Sequence, residues 1–420
     1  MELKPGYKQT EVGVIPEDWD VKRIGDLGTI VRGGSPRPAG DSRYFNGKFI
    51  PWLTVGSLTN IPKSQLYVQT TNSMLTEAGM RHSRVLEPDT LIISNSGATL
   101  GVAKILSIRC CANDGVAAII DQRKGDKVFL AQYINTKTKE LHDNVATGNG
   151  QPNLNRELIG NILVPFPSEN EQKLIGQALS DMDTLIQSLE QQIIKKQQIK
   201  QGAMQTLLNP YDEQGVIKST WKALRLGDVA SLKARIGWQG LTTAEYRKSG
   251  EYTLITGTEF FDGGISWESC FYVDFDRYKQ DKNIQVKIGD ILITKDGTIG
   301  KVAYVRTLPR PATLNSGVFV VRPTADEFCP EFLYHLLMSK LFKEFLAQLS
   351  AGSTINHLYQ KDFVGFTFFT PRDIEQQKFI AASLSEMDSE IAEIRFKLDK
   401  QRKLKQGMMQ NLLTGTVRLV

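Results

Sequence analysis

The chain has 420 residues, of which 41% are hydrophobic, enough to bury two or three separate cores. A formal net charge of only +5 does not by itself assign a polyanionic partner. Four cysteines, Cys110, Cys111, Cys270 and Cys329, include no CxxC pair and meet only four histidines, which speaks against a disulfide framework and against a zinc site.

The first residues, MELKPGYKQTEVGVIPEDW, lack the pattern of a signal peptide, and no run of 18 or more apolar residues follows. The expectation is a soluble, cytoplasmic protein without a membrane partner. WDVKRIGDLGTI begins at Trp19, and residues 31–48, VRGGSPRPAGDSRYFNGK, form a loop rich in Gly, Ser and aromatics. Its Arg32, Arg37, Arg43 and Lys48 suit phosphates or guanine edges, although a surface loop carries such residues for solubility alone. Short β-rich runs at 91–93, 102–106 and 116–120 are punctuated by glycine, and 129–144 reads as a helix. In NSGATLG two glycines flank a turn between strands, so Ser94, Asn95, Ser96 and Thr99 project from it. They meet base edges or phosphates, or they belong to an ordinary hairpin held by glycine at positive φ.

Residues 172–209, QKLIGQALSDMDTLIQSLEQQIIKKQQIKQGAMQTLLN, place apolar groups at alternating steps of four and three: Ile175, Leu179, Met182, Ile186, Leu189 and Ile193. That is the seam of a coiled coil, in a helix that can run unbroken for about 60 Å before Pro210. The distal part is basic, with three lysines and no acid between Gln191 and Leu208, and faces either solvent, DNA or an acidic partner.

Then the elements return. WKALRLGDVASL begins at Trp221, and 232–250, LKARIGWQGLTTAEYRKSG, is a second basic and aromatic loop offering Arg235, Trp238 and Gln239. GDILITKDGTIGKVAYV answers PDTLIISNSGATLGVAKI, so Lys295, Asp296 and Thr298, with Lys301 just beyond, project from the equivalent turn. Asn315-Ser316-Gly317-Val318 answers Asn113-Asp114-Gly115-Val116, residues 331–349 read as a helix, and 377–414 repeat the long helix without a gap at an offset of 205. Its seam is Ile380, Leu384, Met387, Ile391, Ile394 and Leu398. An internal copy this long means two tandem units, each ending in the same element. The offset drifts from 200 to 205 along the chain, so loops gain and lose residues on a kept frame.

Catalytic motifs are missing. Gly300-Lys301 is followed by valine and has no upstream glycine at P-loop spacing. Leu208-Asn209-Pro210-Tyr211 lacks the second proline of an amino-methyltransferase pocket. Pro88-Asp89 with Glu171-Gln172-Lys173 has nuclease-like spacing, but its second-half counterpart, Gly289-Asp290 with Gln376-Gln377-Lys378, does not keep it. We read the chain as non-catalytic.

The succession of WDVKRIGDLGTI, GGSPR…YFNGKFIPW (33–52), LIISNSGATLG, NGQPNLNRELIGNILVPFPSENEQ (149–172) and a helix ending QGAMQTLL, then a second round ending QGMMQNLL, resembles the specificity subunit of type I restriction-modification systems. The resemblance covers essentially the whole chain. It implies a mixed α/β (α+β) pseudo-twofold protein, two globular target-recognition domains (1–168 and 210–372) separated by two long antiparallel coiled-coil helices (169–209 and 373–420, the latter with a tail). Each domain would read one half of a split, asymmetric site in double-stranded DNA, with the helix pair setting the gap. The loops at 148–153 and 351–357 add Gln151, Asn153, Ser353, Thr354 and His357 to the DNA-facing candidates, although their sequences differ between the halves. Two adenine-N6 methyltransferase subunits and an endonuclease/translocase subunit would be the partners. S-adenosylmethionine, ATP and Mg2+ would belong to those partners, with no cofactor on this chain. Two other readings stay open, a coiled-coil structural adaptor without DNA affinity and the specificity part of a fused methyltransferase or nuclease system.

Overall fold

The computed structural model describes residues 5–97, 100–145, 153–237, 240–350 and 357–419. Contacts divide the chain into two units, 1–193 with 393–420, and 194–392. The long helices run over Glu169–Leu207 and Ile374–Leu412. Each unit therefore contains the first part of one long helix and the last part of the other.

In unit 1 one sheet has the order Thr29–Arg32, Val116–Ile120, Leu91–Ser94, Ala103–Leu106 and Tyr67–Val68, antiparallel except for its last pair. A second sheet has the order Met74–Leu75, Phe45–Leu53, Cys110–Ala112 and Arg84–Leu86, and its two inner strands are parallel. Asp20–Arg23 pairs with Leu163–Phe166. Leu91–Ser94 is buried at every position, which is why LIIS reads as a continuous apolar run and not as an alternation.

Unit 2 repeats the plan with fewer strands. Ala230–Lys233, Val318–Pro323, Ile291–Thr294 and Val302–Tyr304 follow the same order as their counterparts, Tyr252–Ile255 lies parallel to Ala312–Leu314, and Trp221–Arg225 pairs with Thr367–Pro371. The helices expected at 129–144 and 331–349 are each two, Lys127–Thr136 with Thr138–Val145 and Pro330–Met338 with Lys340–Ser350. Gly97 and Gly297 both have positive φ, +78° and +66°, in the turn after the Leu91–Ser94 and Ile291–Thr294 strands. A left-handed position there suits glycine and few other residues.

The expected helix seams are only partly helix-to-helix contacts. Ile175 and Leu179 are fully buried in the core of unit 1, and Ile380 and Leu384 in that of unit 2, packed with sheet and helix residues of their own unit. The first turns of each long helix are thus core elements, because a globular domain offers more apolar surface than one neighbouring helix. Met182, Met387 and Ile394 are half-buried. Beyond those turns Ile186, Leu189, Ile193, Ile391 and Leu398 remain buried, as a coiled-coil seam requires.

Polar groups fix how the helices meet within each unit. In unit 1 Lys405 donates to both oxygens of Asp183, at 2.7 and 2.8 Å, and Gln132 donates to Asp183 at 2.8 Å. Arg402 pairs with Glu190. As one helix number rises the other falls, so the segments are antiparallel. Unit 2 reverses the first of these pairs at the same repeat positions, Lys200 on Asp388, and adds Lys196 on Glu390, again antiparallel. The basic distal segments, free on sequence grounds to face DNA or a partner, thus spend these four cations on acids of the neighbouring helix.

A buried glutamine seats the start of each helix. Gln172 Oε1 accepts from the Asp126 amide and its Nε2 donates to the Pro167 carbonyl; Gln377 repeats both bonds with Cys329 and Pro371. Next to Gln172, buried Glu171 accepts from the Trp19 indole and from Arg418, which also forks onto Asp18. The restriction-nuclease spacing of Asp89 and Glu171 is thereby explained as coincidence: Glu171 is a structural acceptor.

Asp183→Ala strips the partner from Lys405, whose side chain is only 13% exposed. The expected loss is about 3 kcal/mol, read as a lower urea midpoint, whereas replacing both partners by Leu and Met costs much less. An unchanged midpoint in the single variant excludes the pair as a support of the fold.

Gln132 of unit 1 is matched by His335 in unit 2. His335 is fully buried and meets Ser385 Oγ at 2.9 Å. Burial, followed by the Lys200 and Arg306 charges, pushes its pKa from 6.5 down to about 3. The unfolded chain takes up a proton near pH 6.5 that the folded chain refuses until about pH 3. Stability carried by His335 is therefore complete above pH 6.5 and is lost as pH falls, by about 3 kcal/mol at pH 4. His335→Gln should remove that part of the acid sensitivity; urea midpoints at pH 7 and pH 4 that fall equally in both proteins would contradict it.

Candidate functional site

Each unit brings three chain segments together at the same place. In unit 1 the Asn95 amide donates to the Gly115 carbonyl at 3.0 Å, the Leu154 amide donates to the Asn95 carbonyl at 2.8 Å, and Ser96 bridges Asn153. In unit 2 the Lys295 amide donates to Gly317, the Leu358 amide donates to Lys295, both at 2.8 Å, and Asp296 bridges His357. The turn after one strand is thus held between two other segments by the same backbone bonds in both units. Side chains at the junction are left to differ.

They do differ. Unit 1 presents Ser96, half-buried, and Asn153, exposed. Beside them Asp114 accepts from Ser35 at 2.5 Å, its carbonyl accepts from Arg32 at 2.8 Å, and Arg37 lies 3.9 Å from its carboxylate. The Ser35 hydroxyl, aided by Arg37 and Arg32, holds the Asp114 carboxyl below the usual carboxylate range. Arg43 is exposed, chelates Asp41 and lies 5.4 Å over Tyr44; Lys48 is exposed next to Phe49, itself 54% exposed. Unit 2 presents a hydrogen bond between Asp296 Oδ1 and His357 Nδ1, Lys295 Nζ 5.2 Å over the Phe319 ring, and the Tyr359 ring 4.7 Å from His357. Thr298 is exposed and Lys301 half-buried at the end of the turn.

Three sequence candidates are corrected. Ser94 is fully buried, with its hydroxyl accepting from the Val102 amide at 3.0 Å, and Thr294 Oγ1 does the same for Lys301. Asn95 is fully buried and donates to the Asp114 carbonyl. Arg235, 2% exposed, donates to the Leu314 carbonyl at 2.9 Å, to Gln280 and to Thr313. These groups build the junction because a buried donor must find an acceptor internally, as Asn95 Nδ2 and the Arg235 guanidinium do. Arg235 roots the chain just after Ala230–Lys233, ahead of Trp238 and Gln239 in sequence. Those two, with Thr99, Gln151, Ser353 and Thr354, fall outside the described residues.

Sequence reasoning passed over Asp114, Ser35 and Tyr359. The AspGly step at 114–115 was read only as a marker of repetition, and Tyr359 sits in no motif. Among the described residues no group of three or more His, Cys, Asp and Glu is placed to hold a metal ion, and no helix is long and apolar enough to cross a membrane.

The family model of the type I restriction modification DNA specificity domain matches residues 16–201 and again 218–401. The MjaVIII specificity subunit of Methanocaldococcus jannaschii is 27% identical over 96% of this chain and 94% of its own length, and the MjaIX subunit of the same organism 24% identical over 98% and 96%. Among solved structures, the type I restriction-modification S subunit from M. genitalium superposes with a TM-score of 0.64 at 14% identity, covering 98% of both chains. A chain from work on complex assembly and conformational transition of the type I R-M system gives 0.55 at 16% identity over 96% and 99%. With the model matched twice along a chain that is itself a duplication, the protein belongs to the type I restriction-modification DNA specificity family and is a specificity subunit with two target-recognition domains, not an enzyme.

Proposed function

We propose that each unit reads one half of a bipartite, asymmetric site in double-stranded DNA, using the three-segment junction and the basic loop beside it. The observation that carries this reading is the construction of one backbone junction twice with unlike side chains, Ser96 and Asn153 against Asp296 and His357. One good contact discriminates a base pair by roughly 1 to 3 kcal/mol, so a rare site needs several contacts spread over two modules. Arg37, Arg43 and Lys48 supply the phosphate-neutralising side, which makes binding salt-dependent. A pure adaptor has no use for a junction rebuilt with different polar groups. Absence of duplex binding at any point of a salt titration would favour that alternative.

The test of independent readout replaces residues 1–168 by the same domain of a relative. Only one half of the methylated site should change, as seen by modification-sensitive sequencing of host DNA. Coupled change of both halves would contradict it.

S subunits assemble with other subunits of their systems. For this chain the partners are two methyltransferase subunits, which bring S-adenosylmethionine, and an endonuclease/translocase subunit, which brings ATP and Mg2+ chemistry, in the cytoplasm. Support for two copies comes from the equal construction of the helix pairs, Asp183 with Lys405 and Asp388 with Lys200. Native mass measurement at saturating methyltransferase should find two copies per chain; a complex that stops at one would overturn this stoichiometry.

A further inference from the structure

Asp296 and His357 do something that the fold does not need. Their counterparts Ser96 and Asn153 make the same backbone bridge with no carboxylate or imidazole, and the flanking amide bonds to Gly317 and Lys295 match those to Gly115 and Asn95. The pair is therefore an addition to unit 2. Its carboxylate remains 43% exposed and its imidazole 32% exposed, at the tip of a glycine turn.

An exposed carboxylate is repelled by phosphates, so on a DNA-facing turn its place is over a base edge. The hydrogen bond between His357 Nδ1 and Asp296 Oδ1 holds the carboxylate in place and leaves its remaining lone pairs as acceptors. A carboxylate so placed fits a hydrogen-bond donor. In the major groove the base donors are the amino groups of cytosine N4 and adenine N6. Lys295, held over Phe319, and Lys361, 5.5 Å over the Tyr359 ring, flank the turn with cations that offset repulsion of the carboxylate by nearby phosphates. Tyr359, 55% exposed, closes the other side of the imidazole and limits its rotation.

We propose that the Asp296–His357 pair is the specificity-determining element of unit 2 and accepts a hydrogen bond from an exocyclic base amino group in the major groove, whereas Ser96 and Asn153 give unit 1 a different preference. This rests on the reading that the junction faces DNA.

The experiment uses the full chain assembled with its methyltransferase subunits, with Asp296→Asn as the conservative variant and Asp296→Ser with His357→Asn as a copy of the unit 1 pair. The methylated motif is read by modification-sensitive sequencing, and binding is measured on duplexes altered one base pair at a time. Both variants should keep the unit 1 half-site and lose about tenfold or more of the discrimination at one position of the other half, where the wild-type motif demands a C·G or an A·T pair. Which amino group is used follows from that position. A motif unchanged in both halves, with wild-type methylation intact, overturns the assignment of the pair while leaving the DNA reading in place. Uniform weakening on every duplex also overturns it, since it marks the pair as a support and not a reader. A wild-type complex that shows no salt-dependent duplex binding overturns the DNA reading itself.

Discussion

The fold of each unit depends on polar contacts between stretches of chain more than 180 residues apart. Asp183 meets Lys405 in unit 1 and Asp388 meets Lys200 in unit 2. Both acids occupy one position of the duplicated helix and both lysines another, so each copy lends its acid to one unit and its base to the other. Unit 1 is discontinuous in sequence as a result, and unit 2 ends within the second long helix. Loss of either long helix removes part of both cores, since Met204 and Ile380 lie in one core and Ile175 and Leu412 in the other.

Such pairs are poor sources of net stability, because two charges taken from water cost several kcal/mol that their attraction barely repays. Their value here is register. An apolar stripe of Ile, Leu and Met tolerates a slip of one heptad with little change in buried area, whereas a lysine placed seven residues from its aspartate leaves two buried charges unpaired. Gln172 and Gln377 act similarly at the domain end: each satisfies a helix-start amide at 126 or 329 and the carbonyl of a strand end or its following residue at once. Only one placement of the helix on its domain meets both demands.

What could be read from the sequence follows from range. The long helices were legible because a 3.6-residue period and an internal copy are local signals, and their bounds fall within two residues of expectation, Glu169–Leu207 and Ile374–Leu412. The strand triplet 91–94, 103–106 and 116–120 was legible for the same reason. The interruptions at Lys137 and Ser339 were not, since no proline or glycine marks them. Nor could period alone tell that Ile175 and Leu179 face a sheet-and-helix core while Ile186 and Leu189 continue a seam. The repeat also extends further upstream than the tryptophans, Gly13-Val14-Ile15 against Gly215-Val216-Ile217, each forming a hairpin or bridge before Trp19 or Trp221.

At the junction, legibility fails in an instructive way. Residue type suggested that polar groups on a turn project outward, yet Ser94 and Asn95 turn inward and Ser96 does not, because a strand ends at Ser94 and its alternation is overridden by the hydrogen bonds that close the turn. Arg235 misled for a related reason: an arginine in a Gly- and Lys-rich loop looks like a phosphate contact, but four backbone and side-chain acceptors from 277 to 314 take its guanidinium. The frame therefore consumes polar residues of the kind a DNA reader would also use. What the frame does not require is a smaller set, and comparing the two units shows where it lies: the backbone bonds coincide and the side chains do not at Ser96 against Asp296 and at Asn153 against His357, which on the proposed reading are the positions free to vary with target.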